Sequence, residues 1–137
     1  MPIKDQVTHH SFRQIMNAAI ASNTTTNSEI IDTEGAPLGL TFAAYASAYT
    51  DGTYAFSFQH GEQANLSDAE TVPAESFVNQ ENIPNVTAAA VAGALVGKAG
   101  LFSLRRYVRV VVTSTGVTSG ATLQIVAMES PDVIPAP

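Results

Sequence analysis

Two segments with alternating apolar residues constrain the fold of this chain more than any other feature. The alternating positions are Leu38, Leu40 and Phe42 in the first segment and Tyr54, Phe56 and Phe58 in the second. A period of two puts each set on one face of a β-strand. Asp51-Gly52 lies between the two segments and is typical of a tight hairpin turn. The sequence therefore predicts a β-hairpin whose apolar face belongs to the core.

The rest of the chain also favours strands over helices. Further strands are predicted at 29–33, 75–78, 102–113 and 121–128. The third of these is rich in β-branched residues and predicts a buried strand. Residues 86–95 are rich in alanine and fit either a helix or a strand. Short strands separated by turns predict an all-β fold, a jelly-roll-like antiparallel β-sandwich with extended N- and C-terminal arms.

The two ends of the chain predict less regular structure. Residues 11–20 fit either a short helix or an extended arm that ends in a strand. The prolines of 131–137 lack the N–H group that a strand ladder requires, so this segment is predicted to be an extended tail. The expected organisation is 1–27 as an N-terminal arm or first strand, 28–130 as the β-sandwich domain and 131–137 as the Pro-rich tail.

The chain carries little charge for its size. Charged residues make up 13% of its 137 residues, against roughly 25% in ordinary globular domains. A low-charge surface rich in alanine, serine, threonine and valine suggests that part of it faces protein rather than water. The net charge of −6 argues against a broad nucleic-acid-binding surface. No basic amphipathic segment or long apolar segment favours a membrane.

No residue pattern in the sequence predicts a catalytic, cofactor or metal site. The absence of cysteine excludes disulfides and thiolate chemistry. His9, His10 and His60 lack the spacing of a metal site and are interpreted as surface residues. The sequence has neither a Gly-x-Ser-x-Gly elbow nor a phosphate-binding loop around Lys98. We therefore expect a protein that is not an enzyme and needs no cofactor.

One cluster of basic residues is informative. Arg105, Arg106 and Arg109 flank Tyr107 and make up half of the six basic residues. On a strand, Arg105, Tyr107 and Arg109 would share one face, and Arg106 would lie on the opposite, apolar face. The planar guanidinium pairs with carboxylates in a bidentate geometry. The cluster therefore fits either ion pairs with the chain's own acidic residues or contacts with the carboxylates of a partner.

Six segments, taken in their order and spacing, resemble a family of head decoration or cement proteins of tailed double-stranded DNA bacteriophages. These segments are 31–35, 40–42, 51–58, 66–69, 106–113 and 121–128. The resemblance spans about residues 28–131 and leaves the N-terminal arm outside it. It implies a jelly-roll-like sandwich on the outer surface of the assembled capsid. There the protein would bridge capsomers of the major capsid protein, as a dimer or trimer.

A capsid role of this kind implies contacts through the two arms, at 1–21 and 131–137, and through the arginine-rich strand. The candidate interface residues are Arg105, Arg106, Tyr107, Arg109, Phe12, Arg13 and Ile134. We expect such a protein to be made in the host cytoplasm without a signal peptide and then carried on the virion. The alternative is a host-receptor or carbohydrate-binding module of a head fibre or tail, with Tyr45, Tyr49 or Tyr54 as its platform.

Overall fold

A computed structural model of the protein describes residues 11–33, 39–87, 94–102 and 104–129. The predicted tail at 131–137 lies outside these residues, as do Leu38, His9 and His10. The strands of the described part are β1 (Ser11–Ile20), β2 (Thr25–Asn27), β3 (Ile31–Asp32), β4 (Leu40–Tyr49), β5 (Thr53–Gly61), β6 (Glu70–Thr71), β7 (Ala94–Leu101), β8 (Tyr107–Thr115) and β9 (Ala121–Glu129). Two short 3₁₀ turns, Ala74–Ser76 and Val78–Gln80, lie between β6 and β7. Within the described residues, no helix is long and apolar enough to cross a membrane.

The strands form two antiparallel sheets. Sheet A has the order β1-β9-β4-β7, and sheet B has the order β2-β8-β5-β6. Both β2 and β3 pair with β8, on the edge that β5 does not occupy, so together they form one interrupted edge strand of sheet B. The two sheets enclose a single apolar core, and this arrangement confirms the predicted all-β sandwich.

The core is built from the alternate residues of the four long central strands. The inward residues are Leu40, Phe42, Ala44 and Ala46 on β4, Leu123, Ile125 and Ala127 on β9, Tyr54, Phe56 and Phe58 on β5, and Val108, Val110 and Val112 on β8. Phe42 of sheet A contacts Phe58 of sheet B, with ring centroids 4.9 Å apart. The ring of Phe58 in turn meets the edge of Phe77 at 5.5 Å. These aromatic contacts join the two inner faces at the centre of the sandwich.

The predicted hairpin around Asp51-Gly52 is wrong. β4 pairs with β7 and β9, whereas β5 pairs with β6 and β8, so the two segments belong to opposite sheets. The Asp51-Gly52 turn therefore carries the chain from one sheet to the other, and Gly52 adopts the positive φ of +101° that favours glycine. An alternating pattern identifies the buried face of a strand but does not identify its neighbour. Two strands that face each other across a core satisfy the pattern as well as two strands side by side.

The N-terminal segment is a strand of the sandwich. β1 runs antiparallel to β9 over its whole length, so of the helix and strand alternatives for 11–20 the strand is observed. Sheet A consequently includes residues that precede position 28. Removal of residues 1–21 would delete this strand, and only removal of residues 1–10 tests an arm. A β-bulge at Ile15 turns both Ile15 and Met16 towards the core, where both are buried.

The long acidic segment between β6 and β7 closes one side of the sandwich. The strand predicted at 75–78 is not observed, because the chain forms 3₁₀ turns there and Phe77 makes an isolated bridge with Leu101. Further along, the backbone of Val86 exchanges two hydrogen bonds with Tyr54, at 2.9 and 3.0 Å. The Asn82 side-chain amide donates to the carbonyl oxygen of Phe56 at 2.9 Å. These bonds satisfy backbone groups on the edge of β5 that the two-residue β6 leaves unpaired.

Candidate interaction surfaces

One end of the sandwich is formed by three connections that cross between the sheets. They join β1 to β2, β4 to β5 and β8 to β9. The carboxylate of Asp51 in the second connection accepts hydrogen bonds from the backbone N–H groups of Thr118 (3.0 Å), Ser119 (3.0 Å) and Gly120 (2.9 Å) in the third. The same three bonds hold the pKa of Asp51 below its usual value. Asp51 thus fixes the relative position of the two turns.

Two tyrosines complete this end of the molecule. The Tyr49 hydroxyl donates to the carbonyl oxygen of Gly52 at 2.7 Å, and the Tyr54 hydroxyl donates to that of Asp51 at 2.8 Å. Their rings meet edge to face at 6.3 Å. Tyr54 is fully buried, so its expected role as an exposed binding platform is wrong. Both side chains stabilise the turn from within.

The arginine-rich segment lies on sheet B and is engaged with the chain's own residues. Nε and Nη2 of Arg106 donate to the two carboxylate oxygens of Asp32, each at 3.0 Å. The Arg106 guanidinium also lies 5.1 Å from the centroid of the Tyr107 ring. Since Arg106 precedes β8 and reaches sideways to β3, its predicted position on the apolar face of the strand is wrong. This bidentate pair links the beginning of β8 to its neighbour β3.

The remaining arginines of the candidate set also have intramolecular partners. Arg105 pairs with Glu70 at 3.2 Å, and Arg13 pairs with Glu29 at 3.0 Å. The Nε of Arg109 donates to the Gln59 side-chain oxygen at 2.8 Å. Of the two alternatives for the cluster, pairing within the chain is therefore observed. Contact with a partner's carboxylates stays a prediction for these residues.

Phe12 and Ile134 complete the candidate set. The backbone of Phe12 is paired with Met128 in sheet A, but its side chain lies outside the described part. Ile134 lies outside the described residues altogether. A contact between either side chain and a partner stays a prediction.

His60 is a buried residue of sheet B, so its interpretation as a surface residue is wrong. Its Nδ1 accepts a hydrogen bond from the backbone N–H of Arg105 at 3.2 Å. Burial lowers the pKa of His60, and the nearby charge of Arg105 lowers it further. The described residues contain no group of three histidine, cysteine, aspartate or glutamate side chains that would hold a metal ion. His60 therefore acts as a neutral acceptor that anchors the entry into β8.

The outer face of sheet A is a second, different surface. Cross-strand partners lie on the same face of a sheet. The pairs on the face of sheet A that is turned away from the core define this surface. Its residues are Thr41, Ala43, Tyr45 and Ala48 on β4, Thr122, Gln124, Val126 and Met128 on β9, Gln14, Asn17 and Ala19 on β1, and Leu95, Lys98 and Gly100 on β7. We call this set outer face A. Lys98 is the one charged residue in the set.

Exposed large apolar side chains gather along the β7 margin of outer face A. Leu95, opposite Tyr45, is 48% exposed, Phe102 directly after β7 is 41% exposed, and Val78 is 51% exposed. Val78 borders the same face, because a methyl group added at Gly100 would lie 3.1 Å from its Cγ2 atom. Sequence reasoning missed this surface, since small and polar residues between core positions are also typical of ordinary solvent-facing positions. The signal that could have found it is the lack of charge at those positions on β4 and β9.

On the opposite side of the sandwich, the edges of the two sheets approach each other. The backbone N–H of Glu29 donates to the carbonyl oxygen of Ile15 at 3.0 Å. This bond links the β2–β3 edge of sheet B to the bulge in β1. A shallow groove of about 430 Å³ follows this seam, lined by residues 14–18 and 26–29.

Comparison with known proteins identifies the fold but no family. The chain matches the crystal structure of PBSX exported protein XepA with a TM-score of 0.56 and 16% sequence identity. The match covers 93% of this chain and 39% of XepA, so the chain spans about two fifths of that protein's length. No protein-family model matches the sequence, and no curated protein matches it. At this level of identity, the likeness shows a shared β-sandwich.

Proposed function

We propose that this protein is a structural component of a bacteriophage virion, a cement protein on the outer surface of the capsid. In this role it bridges capsomers of the major capsid protein and stabilises the DNA-filled head. It is made in the host cytoplasm and works without a cofactor or catalytic site. The observation that carries the proposal is the match of nearly the whole chain to XepA of the phage PBSX, together with the resemblance of six segments to phage cement proteins.

The surfaces of the molecule support a role in assembly. Outer face A is almost uncharged and is bordered by exposed apolar side chains, as expected for a surface that faces protein. The two sheets enclose one continuous apolar core among the described residues. A preformed core of this kind does not have to be ordered at the moment of binding.

Mass action explains how such a protein stabilises a head. A protein that binds the assembled lattice but not free capsomers adds its binding free energy to the assembled state alone. Contacts with two capsomers at once raise the effective concentration of the second contact and therefore the avidity. Residues 1–10 and 131–137, at the two ends of the chain, are the proposed arms for reaching a neighbouring capsomer.

Cryo-electron microscopy of the purified particle that contains this protein tests the proposal. The expected result is sandwich-shaped density on the outer head surface that spans two capsomers. Density at the tail, or absence of the protein from gradient-purified particles, would overturn the cement role. Tail density would instead favour the adsorption-module alternative.

Add-back of variants to particles depleted of the protein tests the arms separately. We expect a chain lacking residues 1–10 to bind fewer sites per particle while its thermal unfolding is unchanged. The matched control is Ser57→Ala, which alters an outward position of sheet B, and its occupancy should equal that of the unaltered protein.

A further inference from the structure

We propose that outer face A is an interface between copies of this chain, so that the protein self-associates through the outward surface of sheet A. The proposal does not depend on the capsid role, since a self-associating sandwich is equally compatible with another location in or outside a virion. It rests on three properties of the face: its charge, its shape and its area.

Charge is compatible with a second copy as the partner. The chain has a net charge of −6, so two copies repel unless their contact keeps the carboxylates apart. The ion-paired carboxylates of Asp32 and Glu70 belong to strands of sheet B, on the far side of the core. Sheets in contact lie about 10 Å apart, so two copies joined through outer face A keep these carboxylates roughly 30 Å apart. That distance exceeds the screening length of about 8 Å at physiological salt.

The same face offers little to a charged partner. Lys98 supplies the one formal charge in the set, and the neighbouring positions are occupied by Ala43, Thr41 and Gly100. An acidic or basic partner would lose hydration of its charges without receiving an opposite charge in return. A second copy presents Lys98 as its one charge in this set, so it loses the hydration of a single charge at most.

The shape of outer face A suits sheet-on-sheet packing. Tyr45 and Leu95 form a raised cross-strand pair, whereas Ala43 leaves a low position beside them. Packed sheets interdigitate side chains of unequal size and cross at about 30°. Because both copies carry the same high and low positions, a two-fold arrangement can place the raised pair of each against the low positions of the other.

The size of the face is sufficient for a specific contact. Four strands spaced about 4.8 Å apart, with eight to ten residues each at about 3.3 Å per residue, cover roughly 550 Å². Two such faces bury about 1,100 Å², which passes the limit of about 1,000 Å² for a specific interface but lies below the usual size of about 1,600 Å². We therefore expect an association that dilution reverses.

Sedimentation velocity across a wide concentration range tests the proposal, with Ala43→Glu and Ala55→Glu as a matched pair. Ala43 lies on outer face A opposite Val126, whereas Ala55 lies on the outer face of sheet B opposite Thr113. The unaltered protein should form an oligomer that dissociates on dilution. Ala43→Glu should weaken its association at least tenfold, and Ala55→Glu should leave it unchanged.

A labelling experiment keeps the test valid if Ala43→Glu impairs folding. The chain contains no cysteine, so a single Gln124→Cys or Ser57→Cys provides one thiol on each outer face. The thiol at position 124 should react more slowly at high protein concentration than at low concentration, and the thiol at 57 should react equally at both. A monomeric unaltered protein, equal dissociation by both glutamate variants, or concentration-independent labelling at 124 would overturn the proposal.

Discussion

The two sheets of this protein are alike inside and different outside. Both inner faces consist of aliphatic and aromatic residues at alternate strand positions, and these residues meet in one core. Outside, sheet B and its borders carry ion pairs between Arg105 and Glu70 and between Arg106 and Asp32, whereas Lys98 is the one charged member of outer face A. A sandwich can therefore be built from equivalent halves and still present one solvated surface and one surface suited to protein contact.

The largest effect on the free energy of unfolding is expected in the core, where the two sheets should be equivalent. Phe42→Ala in sheet A and Phe58→Ala in sheet B each remove a fully buried ring from the same aromatic contact. Each should lower the free energy of unfolding by about 3–5 kcal/mol, measured by urea denaturation. Because the rings touch, the free energy of unfolding should fall less in the double variant than the sum of the two single losses. A loss below about 1 kcal/mol in one variant alone would show that the sheets are not equivalent inside.

An intermediate effect is expected where the two sheets are joined. Asp51→Ala removes the acceptor of three N–H groups and should lower the melting temperature by several degrees at neutral pH. The pKa of Asp51 is lower in the folded chain than its ordinary 3.8. Its contribution is therefore complete above about pH 4 and is lost as the pH falls through the folded-state pKa.

The control for this prediction is Asp51→Asn, which keeps one acceptor oxygen but cannot titrate. Its melting temperature should lie between those of the other two proteins at neutral pH. The difference between Asp51→Asn and the unaltered protein should shrink as the solution is acidified below about pH 4. A difference in melting temperature that stays constant from neutral pH down to about pH 2 would contradict the assigned role of the carboxylate.

The smallest effect is expected on the charged outer face of sheet B. Asp32→Ala removes the bidentate partner of Arg106, but both side chains are nearly half exposed, at 43% and 44%. The free energy of unfolding, again measured by urea denaturation, should fall by about 0.2–1 kcal/mol at low salt and by less at about 1 M salt. A loss above about 2 kcal/mol that salt does not reduce would mean that sheet B depends on its charges as strongly as on its core.

Much of the fold could be predicted from the sequence because burial produces a periodic pattern of apolar residues. The alternation at positions 40–42 and 54–58 identified core residues correctly, and the β-branched segment that ends in Val112 identified a buried strand. The pairing of strands produces no comparable pattern in a single sequence. Asp51-Gly52 has the composition of a hairpin turn, yet the chain there crosses the core, because the turn residues specify a reversal and not the sheet that receives the next strand.

The interaction surfaces were less accessible, for a different reason. The arginine cluster is conspicuous in the sequence, but whether a guanidinium meets its own chain depends on long-range neighbours such as Asp32 and Gln59. The burial of His60 was missed because one histidine beside a glycine gives no sign of the backbone N–H that donates to it. Outer face A is assembled from four strands separated by up to about a hundred residues, so its neutrality becomes evident after the sheet order is known.

The pairing of β1 with β9 has a consequence for how the protein is made. Ile20 pairs with Ala121, so the first described strand finds its hydrogen-bonding neighbour about a hundred residues later. At ribosomal rates of about 5–20 residues per second, β1 stays without that neighbour for on the order of 5–20 s. Throughout this interval, Ile15, Met16 and Ile20 lack the strand that lies beside them in the folded protein. Sheet A can therefore close only after β9 has been synthesised, and a chain truncated before β9 lacks the strand with which β1 pairs.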